Sequence, residues 1–235
     1  ARVVAISFPE SAGAFPPGRT VLTGNPLRPG LGDGDPARAR AHWRLDPALP
    51  VIYVTGGMLG AHAINTALHA ALPQVLADAQ VVHQVGEGPD GSRADLRAAE
   101  AVAAGDPLAR ARYRPVAFVG PELADLYALA TLVVGRAGAG TVNELAALGK
   151  PAVLIPLPGA AADEQTANAQ RLAGAGGAVV LPQTEATPAR LAQIVRSLLA
   201  APDRLAQMAA AGPALARPDA ADRLVDLILQ LAQPR

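Results

Sequence analysis

Short β-branched runs alternate with Ala- and Leu-rich stretches along most of this chain. That alternation constrains the fold more than any other feature. The runs Val3–Ser7, Thr20–Thr23, Val51–Thr55, Gln80–Gln84, Val116–Val119, Thr131–Val134, Ala152–Ile155 and Ala178–Leu181 read as strands. Several are nearly continuous apolar runs, as expected of parallel strands covered on both faces. Between them, Ala37–Arg44, His62–Leu76, Arg93–Ala104, Glu122–Leu129, Val142–Leu148 and Glu164–Ala173 read as helices. After Leu181 only helices follow: Pro188–Leu199, Asp203–Ala210 and Asp219–Ala232. In the last, Ala221, Leu224, Val225, Ile228 and Leu231 form one apolar stripe at helical spacing, expected to pack back against the protein. The expected fold is α/β: a Rossmann-like parallel sheet with helices on both faces, followed by a helical C-terminal tail.

Composition excludes several functions. The 20 basic and 20 acidic side chains cancel, so no long-range field supports nucleic-acid binding. The chain has no cysteine, which excludes a disulfide framework and a thiolate metal site. No apolar stretch reads as a membrane span. The four histidines (His42, His62, His69, His83) are scattered, with no pair at metal-ligand spacing, so no protein metal site is expected. Trp43 and Tyr127 read as packing residues.

In an open parallel sheet, ligands bind at the carboxyl ends of the strands, where loops lead into helix N-termini. Three such loops stand out. Thr55-Gly56-Gly57-Met58-Leu59-Gly60-Ala61 has the form of a phosphate loop without the Walker or dinucleotide spacing. The stretch Gly135-Arg136-Ala137-Gly138-Ala139-Gly140-Thr141-Val142-Asn143-Glu144 again opens a helix with glycines. On spacing alone, Thr141 and Glu144 match a capping box; the alternative makes Glu144 an acceptor for the two hydroxyls of a ribose. The third loop, Pro156 to Gln165, ends in Asp163-Glu164-Gln165 at a helix start. There Asp163 reads as an N-cap, or the three polar groups as partners for sugar hydroxyls.

Taken in order, these loops resemble those of the MurG family of glycosyltransferases. The match is carried by Thr23-Gly24-Asn25-Pro26-Leu27-Arg28, Gly56-Gly57-x-x-Gly60, Arg136 through Glu144, Leu148-Gly-Lys-Pro151, Pro156-Leu-Pro158, and Asp163-Glu-Gln165 with Asn168-Ala169. That family transfers N-acetylglucosamine (GlcNAc) from UDP-GlcNAc to lipid I, forming lipid II in bacterial peptidoglycan synthesis. Its fold is GT-B, two Rossmann-like domains, and this chain is similar to the C-terminal, donor-binding half. The resemblance implies that residues 1–19 are the end of an N-terminal domain or a linker, 20–216 the donor domain and 217–235 a C-terminal helix. It implies no cofactor beyond the donor substrate, an acceptor domain or subunit that supplies the catalytic base and receives the undecaprenyl-linked acceptor, and a cytoplasmic location, peripheral at the inner face of the plasma membrane.

Carried over by position, the resemblance puts Arg28 near the uracil and the backbone of Val119 (or Gly120) at its edge. Gly57, Met58 and Leu59, with Ala139, Gly140 and Thr141, would meet the pyrophosphate, Glu144 the ribose, and Asp163, Glu164 and Gln165 the GlcNAc hydroxyls. Met58-Leu59 stands where the family has a polar pair, and Gly159 and Glu164 also depart from it. An added carboxylate near a pyrophosphate is expected to weaken donor affinity or shift sugar preference. A soluble donor subunit and a glycolipid synthase are the alternatives of similar fold. UDP-GlcNAc 2-epimerases need cleft carboxylates and histidines that find no match here.

Overall fold

The computed structural model describes residues 1–160 and 163–233. A small parallel sheet pairs β1 (Val4–Ile6) with β2 (Thr20–Leu22), the connection containing a 3-10 turn at Pro9–Ala14. Next come α1 (Pro36–Trp43), β3 (Val51–Thr55), α2 (His62–Val75), β4 (Gln80–Gln84), α3 (Ala94–Gly105) and α4 (Pro107–Arg112). The chain continues through β5 (Tyr113–Val116), α5 (Leu123–Leu129), β6 (Leu132–Gly135), α6 (Ala139–Ala147), β7 (Ala152–Leu154), α7 (Glu164–Gly174) and β8 (Ala178–Val180). It ends with α8 (Pro188–Leu199), α9 (Pro202–Ala211) and α10 (Ala220–Ala232).

Strands β3 to β8 form one parallel sheet in the order β5-β4-β3-β6-β7-β8. Numbered from its first strand this is 3-2-1-4-5-6, the doubly wound order, so its switch point lies between β3 and β6. Alternation along β3 sends Ile52 and Val54 to one face and Val51 and Tyr53 to the other. The first face packs on α2, α3, α8 and α9 through Leu68, Leu72, Leu191 and Val195. The second packs on α1, α5, α6 and α7 through Trp43, Leu126, Leu145 and Leu172. Both halves of the sheet are thus covered, as the apolar strand runs require.

Three expectations need correction. Strand β5 spans Tyr113–Val116, three residues earlier than Val116–Val119. Tyr113 pairs with Val81 and is buried, whereas Phe118 is exposed in the following loop. Helix α6 begins at Ala139 instead of Val142. The stripe on α10 is packed back only in part: Val225 and Ile228 are 53% and 57% exposed, Leu224 and Leu231 are half-buried, and only Ala220 of the helix is fully buried. Ala220 sits beside Gly24, and the covered faces of the sheet are already filled by the other helices.

Beneath α2 lies a buried polar chain. Asn65 donates to the Val85 carbonyl (3.1 Å) and to Asp95 (2.8 Å), which leaves its Oδ1 as the acceptor for His83 Nε2 at 3.0 Å. His83 Nδ1 then accepts from the Tyr113 hydroxyl at 2.7 Å, so the imidazole is neutral. Burial pushes His83 down to about 3 and moves His69 in the same direction. In the unfolded chain these rings take a proton near pH 6.5, so the unfolded state binds more protons than the native one between pH 6.5 and 3. Stability is therefore expected to fall as pH drops through that window, by up to about 1.4 kcal/mol per pH unit from His83, with His69 acting in the same direction. Urea unfolding at pH 7 and pH 5 checks this; His83→Gln should lower stability and flatten the dependence.

Candidate functional site

Parallel pairing brings Gln84, Thr55, Gly135 and Leu154 into one row at the carboxyl edge of the sheet. The loops leaving β3 and β6 therefore flank the switch point. Side chains cap several helices elsewhere: Asp35 accepts from Ala37 N–H at α1, Asp106 from Ala109 N–H at α4 and Thr187 from Arg190 N–H at α8. At α2 and α6, which enter at the switch point, no side chain caps the first turn. In α6 the first intrahelical bond is Val142 N–H to the Gly138 carbonyl, so the N–H groups of Ala139, Gly140 and Thr141 stay open. Such a helix start favours an anion.

Within the β3 loop, Gly57 N–H donates to Thr55 Oγ1 (3.1 Å), and the Gly57 carbonyl accepts from Gln84 Nε2 (3.0 Å). Met58 and Leu59 are 68% and 58% exposed, and among the described residues their N–H groups have no partner. Val119 follows β5 with a buried side chain, and its N–H donates to Gln84 Oε1 at 2.9 Å. The backbone donor expected at the uracil edge is thus engaged within the protein.

Glu144 does not close a capping box. With Gly138 as the N-cap, Thr141 lies inside the first turn, and Glu144 faces long-range partners. Arg28 donates from Nε and Nη2 to Glu144 Oε1 (3.2 Å each), and the Tyr127 hydroxyl donates to Oε2 at 3.1 Å. Arg28 and Glu144 are 116 residues apart in sequence, and the pair is exposed on the arginine side (57%) but not on the carboxylate side (12%). Burial raises Tyr127 well above the ordinary phenol range, with Glu144 adding to it; burial likewise pushes Tyr53 up to about 12. Both phenols stay protonated and able to donate.

The third loop is held by its own polar groups. Gln165 Oε1 accepts from the N–H groups of Ala137 (3.3 Å) and Leu157 (3.1 Å), while Asn168 donates to the Ala137 carbonyl at 3.1 Å. Arg136 donates to the carbonyls of Ile155 and Pro156 and to Gln183, pinning the exit of β7. Asp163 occupies the N-cap position of α7 at φ 54 but caps no backbone N–H; it accepts from Thr166 Oγ1 at 2.8 Å. Glu164 is exposed at the first position of α7. Ala161 and Ala162, part of the expected loop, lie outside the described residues. A cleft of about 690 Å³ between the 3-10 turn and α7 is lined by Phe8, Phe15, Glu164, Asn168 and Arg171.

Arg28 is thus brought to Glu144 on α6, whose open start leaves the switch-point strand β6 beside the β3 loop, with Gln165 bridging to the loop after β7. Sequence reasoning assigned no role to Gln84; Thr55 and Asn168 entered only as parts of loop motifs, and Tyr127 only as a packing residue. A polar residue ending a buried strand was the available signal for Gln84; Tyr127 gave none beyond its type.

Residues 51–224 match the model of the glycosyltransferase family 28 C-terminal domain. The chain belongs to that family. This family 28 domain is 42% identical over 231 residues to a curated relative from Syntrophotalea carbinolica, covering 96% of this chain and 59% of the relative. A Stutzerimonas stutzeri relative is 40% identical, with the same coverage of both. Each is named UDP-N-acetylglucosamine--N-acetylmuramyl-(pentapeptide) pyrophosphoryl-undecaprenol N-acetylglucosamine transferase. Among solved structures, Acinetobacter baumannii MurG is 33% identical with a TM-score of 0.75, over 98% of this chain and 61% of that one. The family 28 domain therefore spans about 59% of the length of the curated relatives it matches. No helix among the described residues is long and apolar enough to cross a membrane.

Proposed function

We propose that this chain is the donor-binding half of an inverting glycosyltransferase that moves GlcNAc from UDP-GlcNAc to lipid I, forming lipid II. The observation that carries the reading is the switch point between β3 and β6, from which two helices start uncapped and where α6 carries a carboxylate held by Arg28 and Tyr127. In this reading the ribose hydroxyls donate to Glu144, Arg28 lies against the base, and the pyrophosphate meets the open N–H groups of Met58 and Leu59 and of Ala139, Gly140 and Thr141. Gln165, whose amide nitrogen remains free of partners among the described residues, takes sugar hydroxyls together with Asp163 and Glu164.

A base on an acceptor domain or subunit removes the proton from the acceptor hydroxyl, which attacks the anomeric carbon as UDP leaves. The helix starts then stabilise the charge developing on UDP, with no metal or other cofactor assigned to that task. Residues 1–19 lead in from the acceptor half, which meets the undecaprenyl-linked substrate at the inner face of the plasma membrane. The chain alone is expected to bind donor and turn it over poorly.

Calorimetric titration with UDP-GlcNAc, UDP-GalNAc, UDP and TDP-glucose tests the reading. Saturable binding of UDP-GlcNAc, weaker for the 4-epimer and for the thymidine nucleotide, is expected. A preference for another sugar would move the chain to a glycolipid synthase of the same fold. Absence of binding by every uridine nucleotide would overturn the donor-site assignment.

A further inference from the structure

Resting on the donor-site reading above, we infer that Gln84 is a positioning residue that sets the outward faces of both the phosphate loop and the base-reading loop. Gln84 ends β4, is buried, and sits in register opposite Thr55, between the loops leaving β3 and β5. Its two amide atoms go to different loops. Nε2 donates to the Gly57 carbonyl at 3.0 Å, and Oε1 accepts Val119 N–H at 2.9 Å, with the Tyr53 hydroxyl farther off at 3.4 Å.

A trans peptide is planar, so its C=O and the following N–H point in opposite directions. Drawing the Gly57 carbonyl inward therefore turns Met58 N–H outward, where it is a donor for a diphosphate oxygen. Drawing Val119 N–H inward turns the Phe118 carbonyl outward, where it is an acceptor. Among the described residues neither of these outward groups has a partner. An outward carbonyl suits the N3–H of uracil, the donor on that base's pairing edge. One buried amide, joined at the Gly57 carbonyl by the Gly60 N–H (3.1 Å), thus favours an acceptor for the base and a donor for the phosphate. Glutamine is the side chain of this reach that both donates and accepts while neutral.

The test is an NMR titration of the ¹⁵N-labelled chain with uridine and with UDP. Gln84→Met keeps an unbranched side chain of similar size and removes both bonds. Each lost bond is expected to weaken binding about 3- to 10-fold. Uridine should lose one such factor and UDP both, so the gain from uridine to UDP shrinks, and the Val119 amide signal should move.

Gln84→Glu keeps the test open where methionine is not accommodated. Burial raises a carboxyl's pKa, and the neutral acid both donates and accepts as the amide does. Relative to wild type at the same pH, Gln84→Glu should bind UDP nearly normally at pH 6 and weakly at pH 9. Equal loss of uridine and UDP in Gln84→Met, loss of neither, or Gln84→Glu behaving alike at both pH values would overturn the role of Gln84. A wild-type chain that binds no UDP would instead overturn the donor-site reading itself.

Discussion

Glu144→Ala is expected to weaken UDP binding about 100-fold while leaving 2′,3′-dideoxy-UDP nearly unaffected. A hydrogen bond to a charged acceptor contributes about 1.5–3 kcal/mol, and a carboxylate facing a vicinal diol takes two. Partial sharing of those bonds with Arg28 and Tyr127 in the free protein lowers the net to about 2–4 kcal/mol, or roughly 30- to 1000-fold. The substitution also leaves the Tyr127 hydroxyl buried without its acceptor, which costs about 1–3 kcal/mol of folding stability. The half-exposed Arg28 pair adds little to stability by itself. Comparing the two ligands separates binding from folding. A Glu144→Ala chain that loses both nucleotides equally would place Glu144 in the scaffold, and one that loses neither would make it a structural ion pair. Glu144→Gln, which retains an acceptor for Tyr127 but not the charge, should fall between wild type and alanine.

The strands that sequence reading located best are those buried on both faces. Val51–Thr55 and Gln80–Gln84 appear with the expected bounds because their side chains have no alternative to the core. Strand β5 was misplaced for a physical reason. It is an edge strand, where Pro115 is tolerated, and its anchor is Tyr113, whose hydroxyl reaches His83 on the neighbouring strand. Nothing local to Tyr113 distinguishes it from a helix residue. The capping-box spacing at Thr141 and Glu144 failed similarly. Local spacing cannot register that α6 starts at Ala139 or that Arg28, 116 residues away, supplies the partner. The same holds for the tail: helical periodicity made the α10 stripe legible, but not what faces it. Glycine-rich loops following strands were the part of the site most readable from sequence. Gln84 and Tyr127, which orient those loops and Glu144, act through contacts that exist only once the sheet is assembled.

Gly86→Ala should be among the most damaging single-methyl changes in the domain, lowering stability by about 2–4 kcal/mol and weakening UDP binding in whatever remains folded. Gly86 sits at φ 88 just beyond β4, and a Cβ there would lie 2.2 Å from Gly60 N and 2.3 Å from Gly60 Cα. Gly60 is itself at φ 80, where a Cβ would lie 2.0 Å from the Val85 carbonyl oxygen. The two loops therefore rest backbone on backbone, tied also by Gly88 N–H to the Leu59 carbonyl at 3.1 Å. A methyl group cannot be absorbed by a rotamer change here, because the atoms it meets are main chain. Strain from positive φ costs about 1–2 kcal/mol, and the remainder comes from displacing the phosphate loop. Gly91→Ala provides the control: its φ is 67, yet nothing lies within 4 Å of an added Cβ, so only the conformational strain applies. Urea unfolding of the two variants, followed by UDP titration, distinguishes them. Equal destabilisation of Gly86→Ala and Gly91→Ala would mean that the loop yields to the methyl group. In that case the Gln84 amide, rather than close packing against Gly86, would be the main restraint on the loop that meets the diphosphate.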